Sequence, residues 1–185
     1  MKVIFLDFDG VITIPPKWEL NIDKISLIKK IVDETDAKIV VSSSWRYGLE
    51  RNFTHILEND PTNETIIWLR DNIFDITPTV GLGEGRGGEI QLWLNDNREV
   101  DNYVILDDDS DMWDSQLFHF VQTNYEFGIT ESEATYAIKI LNNQYIYNII
   151  GLNFEIRDRW RKKCEGNEKL WENTIRYNDL ITNDN

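Results

Sequence analysis

The chain reads as an α/β protein, a three-layer sandwich built on a parallel, Rossmann-like sheet. Two observations predict this. Short apolar runs alternate with longer segments of helical periodicity, and the three clearest runs each end in polar residues of the kind that line a crevice at the carboxyl edge of such a sheet.

Val3, Ile4, Phe5 and Leu6 form the first run, a buried strand that leads directly into Asp7, Asp9 and Gly10. Ile14, Pro15 and Pro16 then break regular structure into a loop. Asn21 or Asp23 caps a helix whose Ile25, Ile28, Ile31 and Val32 recur at helical spacing, and near Asp36 it gives way to a strand of Ile39, Val40 and Val41. Strand, helix and strand make a βαβ unit, which crosses over right-handedly between parallel strands. Ser42, Ser43, Ser44 and Trp45 close the second strand, and a helix is expected over 49–57.

Pro61 and Thr62 start a further helix through Ile66, Ile67, Leu69 and Arg70. A short third strand is expected over 76–80, where Pro78 confines it to an edge. Gly81, Gly83, Gly85, Gly87 and Gly88 read as a glycine-rich loop around Arg86, followed by a helix over 89–95. Tyr103, Val104, Ile105 and Leu106 are the clearest strand after the first, and a weaker one is expected over 117–122. Thr130 and Glu133 have capping-box spacing for a helix reaching Leu141.

These elements define a domain over 1–141. Residues 142–185 are expected to be a C-terminal helical extension packed on the core, with Trp171, Tyr177 and Leu180 on its apolar face. Arg157, Arg159, Arg161, Lys162 and Lys163 surround Trp160 there, as a solvated face or a strip that covers substrate.

With 185 residues, 41% of them hydrophobic and 12% aromatic, the chain suits one globular domain with an appendage. The formal net charge of −14 opposes a phosphate backbone, so a polyanionic substrate needs a local cation. One cysteine, Cys164, and two histidines, His55 and His119, make a structural zinc site and an internal disulfide poor readings. No run approaches a membrane span and the first residues lack a signal-peptide pattern, so a soluble cytoplasmic protein is expected.

Chemistry collects at the strand ends. Asp7 and Asp9 lie at i and i+2 and project to one side of the sheet's end; an Asp-x-Asp-Gly turn is the plainer alternative. Asp107, Asp108, Asp109 and Asp111 follow the clearest later strand. Carboxylates crowded around one point call for a hard divalent cation, and an oxygen-only set favours Mg²⁺. A calcium loop is excluded, because Met112 and Phe118 stand where it needs glycine and glutamate. Phosphoryl transfer fits these parts: one carboxylate as nucleophile, a second moving the proton, a serine hydroxyl and Arg86 holding the transferring oxygens.

Together these residues resemble the haloacid dehalogenase-like (HAD) phosphatases. Asp7-Phe8-Asp9-Gly10-Val11-Ile12-Thr13 is similar to the first HAD motif, which implies Asp7 as nucleophile and Asp9 as general acid and base. The hydroxyl after Val41 resembles the second motif; Ser42 is preferred for it and Ser43 remains open. Arg86 matches the third motif, and Asp107 and Asp108 the paired acids of the fourth. By this resemblance Asp7, Asp9, Asp107 and Asp108 hold Mg²⁺, while Gly10, Ser43 and Arg46 face the substrate.

About 25 residues separate the first and second motifs and about 40 the second and third, too few for a large cap. The crevice is therefore expected to be open. The Ser-Ser-Ser-Trp-Arg run, Gly88 to Leu94, and Ile-Leu-Asp-Asp-Asp-Ser-Asp look like the HAD domains of nucleic-acid repair proteins, including polynucleotide kinase-phosphatases, without their kinase P-loop. The implied activity is a Mg²⁺-dependent phosphatase with an aspartyl-phosphate intermediate, acting on a nucleotide or a nucleic-acid terminal phosphate. The alternatives are another small phosphorylated metabolite or a non-catalytic binding module.

Overall fold

A computed structural model describes residues 1–46, 60–79 and 85–143. Its strands are β1 (Lys2–Leu6), β2 (Lys38–Val41), β3 (Ile73–Ile76), β4 (Asn102–Asp107) and β5 (Phe120–Gln122). They form one sheet in the order β3-β2-β1-β4-β5, with every neighbouring pair parallel. The chain steps outward from β1 to β3 and then returns to lay β4 on the free edge of β1. The strand order thus reverses between β1 and β4, which is where open α/β sheets bind ligands.

Helices α1 (Ile22–Thr35), α2 (Glu64–Asn72), α3 (Gly85–Asp96) and α4 (Glu131–Leu141) cover both faces. Ile4, Leu6, Ile39, Val41, Val104 and Leu106 pack with α1, α2 and α4. The alternate residues Val3, Phe5, Val40 and Ile105 pack with Ile90 and Trp93 of α3. Burial on both faces is why these strands are continuous apolar runs instead of alternating ones. Phe5 sits edge-on to Trp93 and Tyr103, with centroids 5.4 and 5.7 Å away.

Local signals set the helix ends. Asn21 caps α1 by accepting from the amides of Asp23 and Lys24, and Asp36 closes it with φ 55°. Thr130 and Glu133 form the capping box of α4.

Three boundaries differ from expectation. β3 lies at Ile73–Ile76 rather than 76–80, because α2 passes into it at once through Ile73 and the ladder ends as the Thr77 amide bonds Val41, just before Pro78. The segment expected as strand over 117–122 is strand only from Phe120; Asp114–His119 is a 3₁₀ turn. Arg86 lies in the first turn of α3, which starts at Gly85 and not at Glu89. The helix expected over 49–57, Gly81 and Gly83, and the extension from 144 onward lie outside the described residues. Among the described residues no helix is long and apolar enough to cross a membrane.

Candidate active site

The register of the sheet brings two acidic segments together. Leu6 pairs with Leu106, and the Asp7 amide donates to the Leu106 carbonyl at 2.9 Å, so the residues that follow β1 and end β4 lie side by side. Asp7, Asp107 and Asp108 each offer a carboxylate oxygen within 4.8 Å of the others. Asp7 is 6% exposed and Asp107 1% exposed. Burial pushes the Asp7 carboxyl up to about 6, against the pull of Arg86 and hydrogen bonds from the Ser43 hydroxyl and the Phe8 amide. Burial, then the Asp7 charge, holds Asp107 well above the usual carboxylate range. Asp108 is raised as well, mainly by burial.

Arg86 is the cation among these acids. Its guanidinium stands 3.3 Å from Asp107 Oδ2 and 3.7 Å from Asp7 Oδ1. A third ion pair, at 3.8 Å, joins it to Glu89 one turn along α3. Glu89 in turn ion-pairs with Arg46. Arg46, expected on the substrate side, is buried, with its guanidinium engaged by Glu89 and by the Ser43 carbonyl at 3.0 Å. With Ser44, Gly85, Arg86, Glu89 and Asp111 it lines a recess of about 250 Å³ beside the acids.

Asp9 stands outside the group of three, where it was expected among the metal ligands. Its Oδ1 accepts from the Thr13 hydroxyl at 2.7 Å, and the Trp45 indole N–H lies 3.1 and 3.2 Å from its two oxygens. Trp45 itself packs on Phe8. Of the two candidate hydroxyls, Ser43 touches Asp7, whereas Ser42 Oγ is buried without a hydrogen-bond partner among the described residues.

Gly10 has φ +70°, and a Cβ there would lie 2.4 Å from Asp108 Cγ. Only glycine lets Asp108 approach the β1 turn so closely. Close packing also explains the glycines around Arg86. A Cβ on Gly87 would meet the Trp113 amide at 2.5 Å, and the Gly87 carbonyl accepts from Gln116 Nε2 at 2.9 Å. Asp111 accepts from the Arg86 amide at 2.8 Å, and Asp109 accepts from the Ser110 amide. Both carboxylates, candidates for assisting a metal, are used locally.

Sequence reasoning missed two contributors. Glu89 lies three residues beyond Arg86, a helical spacing that was available as a signal. Trp45 reaches Asp9 across 36 residues, and nothing local announces it.

The acids fit a magnesium ion by the chemistry of their donors. All are hard oxygens, and Asp107 Oδ2, though buried and 3.3 Å from Arg86, receives no hydrogen bond from the described residues. Magnesium bound there would draw on Asp7, Asp107 and Asp108.

A family profile described as the HAD domain in Swiss Army Knife RNA repair proteins matches residues 3–134. No curated protein and no solved structure gives a match. The matched span runs from β1 into α4 and includes every residue of the acidic cluster and of the Arg86 ion pairs. The chain belongs to the family of HAD domains found in Swiss Army Knife RNA repair proteins, a group of HAD-type hydrolases.

Proposed function

We propose that the protein is a Mg²⁺-dependent phosphatase that works through an aspartyl-phosphate and removes a terminal phosphate from RNA. The observation that carries this reading is the buried group of Asp7, Asp107 and Asp108 with Arg86 set against two of its members. HAD domains generally use Mg²⁺, which when bound supplies charge neutralisation for the transferring phosphoryl group.

The chain's own residues then divide the work. An Asp7 oxygen attacks phosphorus, and the bond from phosphorus to the leaving oxygen breaks. Asp9 gives that oxygen its proton. In the second half Asp9 takes a proton from water, the water oxygen attacks the phosphorus of the aspartyl-phosphate, and inorganic phosphate leaves with Asp7 restored. Arg86 and the Ser43 hydroxyl hold the non-bridging oxygens, with Ser42 the other candidate. Trp45 and Thr13 keep Asp9 oriented beside the nucleophile. The connection from β1 to β2 holds one loop and α1, which supports an open crevice suited to a macromolecular end.

Hydrolysis of a generic aryl phosphate, with and without Mg²⁺, tests the reading. Turnover should require the ion and vanish in Asp7→Asn. Turnover retained by Asp7→Asn overturns the nucleophile, and wild type silent on a broad phosphate panel overturns the activity.

A further inference from the structure

Large aromatic side chains gather on the loops at the catalytic edge of the sheet. Phe127 is 61% exposed, Tyr125 53% and Trp113 40%. Trp113 follows β4, and Tyr125 and Phe127 follow β5. Trp18, in the loop after β1, has φ 56° and meets Tyr125 edge-on with ring centroids 5.1 Å apart. Two loops from different strands therefore join through aromatic rings.

That pair is tied to the acidic site. Thr13, at the root of the first loop, bonds Asp9, and bridges Leu20 at the loop's other end. The second loop is anchored by the Thr123 hydroxyl on the Gly10 carbonyl at 2.7 Å and by the Ile129 amide on the Val11 carbonyl at 3.0 Å. Gly10 is the residue against which Asp108 packs. The rings thus form a rim on the segment that holds the carboxylates.

We propose that Trp18, Tyr125 and Phe127 stack the bases of a single-stranded RNA end whose terminal phosphate lies at Asp7. This rests on the phosphatase reading and names its substrate class. A chain of net charge −14 gains little from a phosphate backbone, and Glu19 and Glu126 sit on these loops. Stacking on aromatic rings is the sequence-tolerant, uncharged contact left to it, and it requires unpaired bases.

The test compares wild type, Tyr125→Ala with Phe127→Ala, and the ring-keeping Tyr125→Phe. The substrates are a single-stranded RNA with a terminal phosphate, the same end in a blunt duplex, and an abasic ribose phosphate. The double alanine variant should lose about ten-fold in kcat/KM on the single strand, mostly through KM, and less than two-fold on the abasic phosphate. Tyr125→Phe should match wild type, and the duplex should be the poorer substrate for it.

Equal losses on single-stranded and abasic substrates overturn the proposal. Quenching of tryptophan fluorescence by unphosphorylated single-stranded RNA, without metal, separates it from the catalytic reading. Quenching that the double variant loses supports the rim even if wild type hydrolyses nothing. Absence of quenching in wild type overturns it even if hydrolysis is normal. A wild-type dimer that the double variant abolishes assigns the rim to self-association and overturns it too.

Discussion

Two charged regions meet at Arg86 and are built on opposite principles. On one side Asp7, Asp107 and Asp108 crowd like charges into a buried corner, with one oxygen given no hydrogen bond. On the other, Arg46 and Glu89 are a buried pair of opposite charge, with Arg46 further bonded to the Ser43 carbonyl. The pair is balanced within the fold; the three carboxylates of the cluster have, among the described residues, the single cation Arg86, which Glu89 shares. A fold tolerates such a cluster where a cation or a reacting group supplies what is missing, and on that ground we propose the cluster as the functional half and the pair as its support.

Substitutions on each side should therefore act in opposite directions. Asp7→Asn should lower turnover by about 10³-fold or more while leaving the fold intact, since it removes the proposed nucleophile. Glu89→Gln leaves two guanidiniums without their shared carboxylate and should destabilise the protein by about 3 kcal/mol, read as a fall in Tm. Asp107→Asn should instead raise the stability of the metal-free protein by about 1–2 kcal/mol and lack the rise in Tm with Mg²⁺ that the proposal expects of wild type.

The pH dependence follows from the same asymmetry. Asp7 has a folded-state value of about 6 against 3.8 when unfolded, so the folded chain takes up the proton first. Its burial penalty is full above pH 6 and is relieved as pH falls from 6 toward 4. Measured against Asp7→Asn, which keeps the opposing contribution of buried His119, the metal-free wild type should gain about 1–2 kcal/mol of stability between pH 7 and 5, and saturating Mg²⁺ should flatten that difference. A metal-free wild type that gains nothing over Asp7→Asn across this range contradicts the assignment of Asp7 as a destabilised acid.

What was legible follows from where each signal resides. Asp7, Asp107 and Asp108 were readable because they terminate apolar runs, and parallel pairing carries such ends to one edge. The capping residues Asn21 and Thr130 act within three positions, so their roles are local as well. The start of α3 was hidden, because Gly85, Gly87 and Gly88 are poor helix formers, Gly87 lying close against Trp113 and Gln116 and Gly85 against Asp111. The pairing of Arg46 with Glu89 was not legible, because that partner, 43 positions away, is supplied by tertiary packing. The hold of Trp45 on Asp9 is tertiary in the same way.

The central claim is that Asp7 accepts the phosphoryl group. Rapid acid quench of the working enzyme with a phosphorylated RNA end and Mg²⁺, followed by borohydride reduction, converts an acyl phosphate to an alcohol that peptide mass spectrometry locates. The account predicts that alcohol at residue 7, and its loss when Mg²⁺ is omitted. Sustained turnover with residue 7 unmodified, or with the label on another carboxylate, would contradict it.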